Sequence, residues 1–205
     1  EGSMLPSGKM PYEVFIPAYR DEILSDTVMV YGNVDEVELV LNGKTIRRQT
    51  ADKGPDSDYI PVPNGGNGKN LHFPPFTFYG VSKERGVLKA VGYHQGKKVA
   101  EYTVKTPGVP ERLDITYFES GKPATKNDLL IVYVRMLDKQ GVLCPVNGIP
   151  VELSVQGGEI VGPTSYPLEA GVASFLVRTG EISKININAT GKGFSTRKSL
   201  KVGKE

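Results

Sequence analysis

The sequence predicts an all-β chain folded as two sandwiches in tandem, on three observations. Apolar and polar residues alternate with period two along most of the chain. No stretch of ten or more residues carries the i, i+3, i+4, i+7 spacing of an amphipathic helix. Glycine and proline, 24 and 15 of 205 residues, together exceed their ordinary share and imply many turns. Finally, Thr106-Pro107-Gly108-Val109-Pro110 packs two prolines and a glycine into five residues, which no central strand tolerates. A boundary there leaves halves of roughly 100 residues, each long enough to bury a core. The predicted domains are 1–106 and 111–205, joined by a linker at 107–110.

Taken in order, the first clear strand holds Val37, Leu39 and Leu41 on one face and Glu36, Glu38 and Val40 on the other. Asn42-Gly43 follows, then a return over Lys44 to Gln49. Asn-Gly between two such runs signals a hairpin because both residues accept positive φ. A second hairpin spans Val87 to Lys105 and turns at His94-Gln95-Gly96-Lys97. Between the hairpins, residues 51–70 are too polar and broken for a strand and read as a long surface loop, a length usually functional or disordered.

Beyond the boundary, Arg112 to Tyr117 restarts the pattern. Leu129 to Leu137 is a long, nearly continuous apolar strand turned by Asp138-Lys139-Gln140-Gly141. Val151, Leu153 and Val155 alternate with polar partners until Gly157-Gly158. Glu169-Ala170-Gly171 leads into Val172 to Arg178, Ile185 to Thr190 forms another strand, and Thr196 to Val202 closes the chain. Seven short strands at about 8–12-residue spacing are the pattern of an immunoglobulin-like sandwich, here without the Cys…Trp…Cys framework of antibody domains.

Composition excludes several functions. Lys plus Arg number 25 against 23 Asp plus Glu, for a net charge of +2, which gives no polyanion-binding tail. The basic pairs Arg47-Arg48 and Lys97-Lys98 make no nucleic-acid surface. No apolar run reaches the roughly 20 residues of a membrane-spanning helix. A single cysteine, Cys144, excludes an internal disulfide and a Cys-rich zinc site. It reads as a small packing residue, since no base or helix start lies near it. The opening Glu1-Gly2-Ser3-Met4 lacks both the basic start and the apolar core of a signal peptide and reads as the trimmed start of a fragment.

No nucleophile, zinc-protease or phosphate-loop motif is present, so no catalytic residue is assigned, and neither a cofactor nor a metal is expected. Asp52, Asp56, Asp58 and Asn64 offer oxygen ligands but not the spacing of a calcium loop. Gly65-Gly66-Asn67-Gly68 lacks the strand–helix setting of a phosphate loop. Glu36 and Glu38 share a strand face, and no apolar cleft is implied that would raise either pKa as a glycosidase acid requires. The remaining candidate is aromatic. His72, Phe73, Phe76 and Tyr79 could contact carbohydrate, since ring faces pack against sugar C–H groups and a histidine edge hydrogen-bonds hydroxyls. The plain alternative is that these rings fill the core.

Several runs together resemble one family. Val30 to Lys44, reading VYGNVDEVELVLNGK, Leu88-Lys89-Ala90-Val91-Gly92-Tyr93 with Gly96-Lys97-Lys98-Val99-Ala100, Pro74 to Phe78, and the Thr106-Pro107-Gly108 linker are similar to the region that follows the catalytic barrel in bacterial glycoside hydrolase family 2, the β-galactosidase-like enzymes. The second half resembles the immunoglobulin-like domain that often ends them. Gly32 and Val34 depart from the pattern, as does the insert at 51–70. The family's catalytic glutamates sit on a barrel that this sequence does not contain. The resemblance therefore implies accessory C-terminal domains that support the barrel or shape access to its site, with the barrel as partner and a periplasmic or extracellular location. Two other readings are a polysaccharide-binding module and a bacterial surface adhesion or spacer protein.

Overall fold

The computed structural model describes residues 11–16, 26–52, 73–117 and 123–203. They contain strands and no helix, arranged in four sheets. The chain divides into two compact units, Glu1–Thr106 and Pro107–Glu205, each an immunoglobulin-like β-sandwich.

In the first unit, β1 (Val14–Phe15), β2 (Val28–Gly32) and β5 (Phe76–Phe78) form one sheet in the order β1-β2-β5. The facing sheet runs β4-β3-β6-β7 and comprises β3 (Glu36–Leu41), β4 (Lys44–Thr50), β6 (Val87–His94) and β7 (Lys97–Lys105). Alternation sends Val37, Leu39 and Leu41 inward, where they meet Val28, Val30, Phe76 and Phe78. Each such side chain contributes roughly 1.5–3 kcal/mol on full burial. Both hairpins turn as expected. Asn42 and Gly43 have φ of 51° and 80°, and Gln95 and Gly96 have 50° and 74°, the doubly left-handed turn that matches strand twist. The Asn42 side chain also accepts from Val87 N at 2.9 Å and donates to Arg85 O at 3.1 Å, tying the first hairpin to the start of β6.

The second unit comprises β8 (Arg112–Tyr117), β9 (Leu129–Leu137), β10 (Pro150–Gln156), β11 (Gly158–Ile160), β12 (Ser165–Pro167), β13 (Val172–Thr179), β14 (Lys184–Gly191) and β15 (Phe194–Lys201). Its sheets run β11-β13-β9-β8 and β12-β10-β14-β15, all antiparallel. Among the described residues this unit has eight strands, one more than the seven expected. No run named in the sequence marks β11 or β12, which at three residues are too short to show a period. Gly157, at φ 86°, separates β10 from β11 and lets the chain switch sheets within one residue.

The long apolar run Leu129–Leu137 is not buried on both faces. Leu130, Val132, Val134 and Met136 point into the core, but Leu129 is 50% exposed and Ile131 44%. Cys144 is buried in that same core, its thiol directed at Gly108 O at 3.7 Å and Val142 O at 3.8 Å. The start of this unit is fixed by Asp138, which accepts from Gly108 N at 2.7 Å and Val142 N at 2.8 Å.

Candidate functional site

The first unit carries an aromatic groove built around its shortest strand. Two residues make a weak ladder, so β1 is held by other means. The Asn33 side chain accepts from Glu13 N at 2.7 Å and donates to Pro11 O at 2.9 Å. Val14 sits where two glycines leave room. A Cβ on Gly92 would come within 2.7 Å of Val14 Cγ1, and one on Gly32 within 2.7 Å of Glu13 O. With Val14 inward, alternation turns its neighbour Phe15 outward, where it is 47% exposed.

Aromatic rings flank β1 on both sides. Phe15 meets Tyr102 edge to face at 5.2 Å, and Tyr12 stacks on His94 at 4.7 Å. Tyr31 is the cross-strand partner of Phe15, and Phe73 stands nearby. Two cavities result. One, of about 480 Å³, is lined by Tyr12 to Phe15 with Ala100, Glu101 and Tyr102. The other, of about 420 Å³, is lined by Glu13, Phe15, Tyr31, Asn33 and Phe73 among others. Such rings gain most from burying their apolar faces, against a sugar ring or a protein surface.

The site's electrostatics favour binding over acid–base chemistry. Asp35 accepts from Gln95 N at 2.7 Å and lies 3.0 Å from His94 Nδ1, and chiefly the Gln95 amide holds its carboxyl below the usual range. On the outer face of β3, Glu38 accepts from Thr45 Oγ1 at 2.6 Å and Tyr93 Oη at 2.7 Å. Those two donors, Thr45 first, lower its pKa, while the Glu38 carboxylate raises that of Tyr93. Arg48 covers the Tyr93 ring at 3.7 Å and pairs with Glu36 at 2.5 Å. A carboxylate stabilised in its charged form is the opposite of a proton donor poised near neutrality. Among the described residues no group of three or more His, Cys, Asp and Glu is placed to hold a metal.

The predicted carbohydrate contacts scatter. His72 lies outside the described residues, as do Asp56, Asp58, Asn64 and most of the 51–70 loop. Phe76 is fully buried in the core with Phe78, so it presents no ring face to a ligand. Phe73 and Tyr79 are 46% and 44% exposed, but only Phe73 lines the cavity beside Phe15. The sequence did not mark Tyr12, Phe15, Tyr31 or Tyr102 as ligand contacts. The signal for Tyr31 was present, since Val28 and Val30 fix the inward parity of β2 and leave Met29 and Tyr31 outside.

Comparison with known proteins places these features. Residues 25–100 match the family described as a domain of unknown function, DUF4982. A β-galactosidase of Thermoanaerobacter pseudethanolicus is 30% identical over 176 residues, 80% of this chain and 22% of that protein. A β-galactosidase of Rhizobium radiobacter is 30% identical over 129 residues, 62% of this chain and 92% of that protein. The structure of a β-glucuronidase from glycoside hydrolase family 2 superimposes with a TM-score of 0.71 at 22% identity, over 95% of this chain and 20% of that one, and shares the fold. The chain thus spans about a fifth of the Thermoanaerobacter enzyme's length. With the ordered sequence runs and the two sandwiches in agreement with these relatives, the chain belongs to bacterial glycoside hydrolase family 2, the β-galactosidase-like enzymes, and corresponds to their non-catalytic C-terminal region.

Proposed function

We propose that this chain is the accessory part of a larger β-galactosidase-like glycoside hydrolase and that its first sandwich docks on the catalytic barrel through the groove around β1. The observation that carries the reading is the concentration of Tyr12, Phe15, Tyr31 and Phe73 on one side of a small sandwich, where aromatic surface gains most from a partner. In this reading the two units, with 107–110 as their connector, act as separate domains of that enzyme. The role is mechanical. The sandwich buttresses the barrel and bounds access to its site, and the chain supplies no catalytic group.

The test has two parts. The purified chain is mixed with a nitrophenyl β-galactoside and is expected to release no more nitrophenol than buffer; hydrolysis by the chain alone overturns the accessory reading. The chain is then mixed with the separately expressed barrel of its parent enzyme. Association is expected, weakened by Phe15→Ala and Tyr31→Ala together and unaffected by Lys139→Ala.

A second reading, glycan binding, rests on the same cavity, because Phe73 and Tyr31 could stack on a sugar. Titration with galacto-oligosaccharides at millimolar concentration, followed by NMR, separates the two. Shifts that vanish in Phe73→Ala support glycan binding, and a flat titration removes it.

A further inference from the structure

The outer face of the sheet β12-β10-β14-β15 is polar and basic, and none of the residues that line the groove around β1 belongs to it. The register sets its rows. Gln156, Asn186 and Ser199 lie side by side, then Ser154, Asn188 and Arg197, then Glu152, Thr190 and Ser195. Ser199 Oγ donates to Asn186 Oδ1 at 2.6 Å. Beyond these rows Lys184 stands directly opposite Lys201. The result is a flat field of amides and hydroxyls flanked by cations. Lys184, Lys192, Arg197 and Lys201 are all exposed.

No carboxylate among the described residues forms an ion pair with these cations. Among the described residues the ion pairs of this unit are Lys126–Glu181, Arg135–Asp114 and Arg178–Glu159. Two of the three lie on the outer face of the opposite sheet, and none involves the four cations. Like charges placed directly opposite across a ladder are destabilising. The only carboxylate in the rows, that of Glu152, pairs in register with Thr190, six residues along β14 from Lys184 and so about 20 Å away. Lysines on an edge strand also keep it from pairing with another sheet. That purpose accounts for Lys201 on β15 but not for Lys184, which sits on the interior strand β14.

We infer that this face is a binding surface for an anionic polysaccharide, a glycan chain bearing carboxylate or sulfate groups. The cations take the anionic groups, and the Asn, Ser, Thr and Gln side chains hydrogen-bond the sugar hydroxyls. Arg197 and Lys201 lie about 14 Å apart along the strand, a span of a few sugar units, so the two cations meet anionic groups on non-adjacent sugars of a charged glycan. Duplex DNA carries a charge every ~1.7 Å, far denser than this row. The rows contain no aromatic ring on which a nucleobase could stack.

Native gel electrophoresis of the 205-residue chain through polygalacturonate tests this. The chain is expected to be retarded, less so as salt rises, and not retarded by fully methyl-esterified galacturonan, which has the same backbone without charge. The double variant Arg197→Gln/Lys201→Gln is expected to weaken retardation about tenfold or more. Asn186→Ala/Asn188→Ala should weaken it further, and Lys89→Gln/Lys98→Gln in the first unit should leave it unchanged. Dextran sulfate serves as a second probe; retardation by it alone identifies sulfate as the preferred anionic group and upholds the inference. Circular dichroism confirms that the variants fold. Retardation by neither polymer overturns the proposal. So does equal loss in the Lys89/Lys98 control, or equal retardation by oligothymidylate of matched charge.

Discussion

The two sandwiches reach the same architecture by different means. In the second unit, ladders of five to eight residue pairs join β10 to β14, β13 to β9 and β14 to β15, and only the short β11 and β12 pair over three residues. In the first unit, one whole sheet rests on strands of two, five and three residues. Side chains replace the missing backbone bonds there. Asn33 clamps β1, and Asp52 accepts from Thr77 N at 3.1 Å and from Thr77 Oγ1 at 2.5 Å to hold β5. Gln49 reaches from the facing sheet to Thr77 O at 2.9 Å. The lesson is that a strand too short to hold itself depends on a few polar props. It is also the strand whose outward residue, Phe15, is aromatic.

The comparison can be broken most forcefully through the core. Phe76→Ala is expected to cost about 3–5 kcal/mol, as is Phe175→Ala in the second unit, both measured by denaturant unfolding. A cost for Phe76→Ala below about 1 kcal/mol would mean that the short sheet contributes little to its core. The next effect sharpens the role of β1. Gly92→Ala forces Val14 from its seat and is expected to cost about 1–3 kcal/mol. Gly43→Ala, with φ of 80° but open space around it, should cost only backbone strain of ~1–2 kcal/mol. Smaller still, Asn33→Ala removes one prop and should cost about 1 kcal/mol. It should also loosen the Tyr12–His94 stack, visible in the histidine ring NMR shifts.

The gentlest probe is pH. Asp138 is 2% exposed, and its carboxyl lies below the ordinary value, first because Gly108 N–H donates to it and then because Val142 does. Its contribution is therefore fully present above the usual carboxylate range of about 4 and is lost as pH falls through the lowered folded-state value. Asp138→Asn should flatten that acid limb in the second unit alone, read by unfolding midpoints between neutral pH and strong acid. Glu38, similarly lowered by Thr45 and Tyr93, should show the same sign in the first unit, and Glu38→Gln should remove it.

Legibility followed the range of the interactions. Asn42-Gly43 and Gln95-Gly96 turn where the sequence says, because the turn chemistry is contained in two residues. Val37, Leu39 and Leu41 face the core because a strand has only two faces. The groove was illegible for the converse reason. β1 exists only through Asn33, Gly32 and Gly92, the last nearly eighty positions distant, so nothing local marks Tyr12 or Phe15. Phe76 was open to both readings because aromatic clustering alone does not reveal parity, and its pairing with Val30 puts it in the core. The run from Leu129 to Leu137 is nearly continuously apolar, yet Leu129 and Ile131 lie exposed, since hydrophobicity records what a residue tolerates as well as where it lies.

One small closure has a practical meaning. Asp52 N donates to Pro75 O at 2.8 Å, and the Asp52 carboxylate holds Thr77 just beyond. Positions 52 and 75 are therefore pinned to one another by the described residues themselves. Between two points fixed in this way, lengthening an inserted flexible segment adds only about 0.6 kcal/mol per doubling. Position 52/75 is a natural splice point, where an epitope, a fluorophore or a whole domain can be grafted while both sheets keep their register.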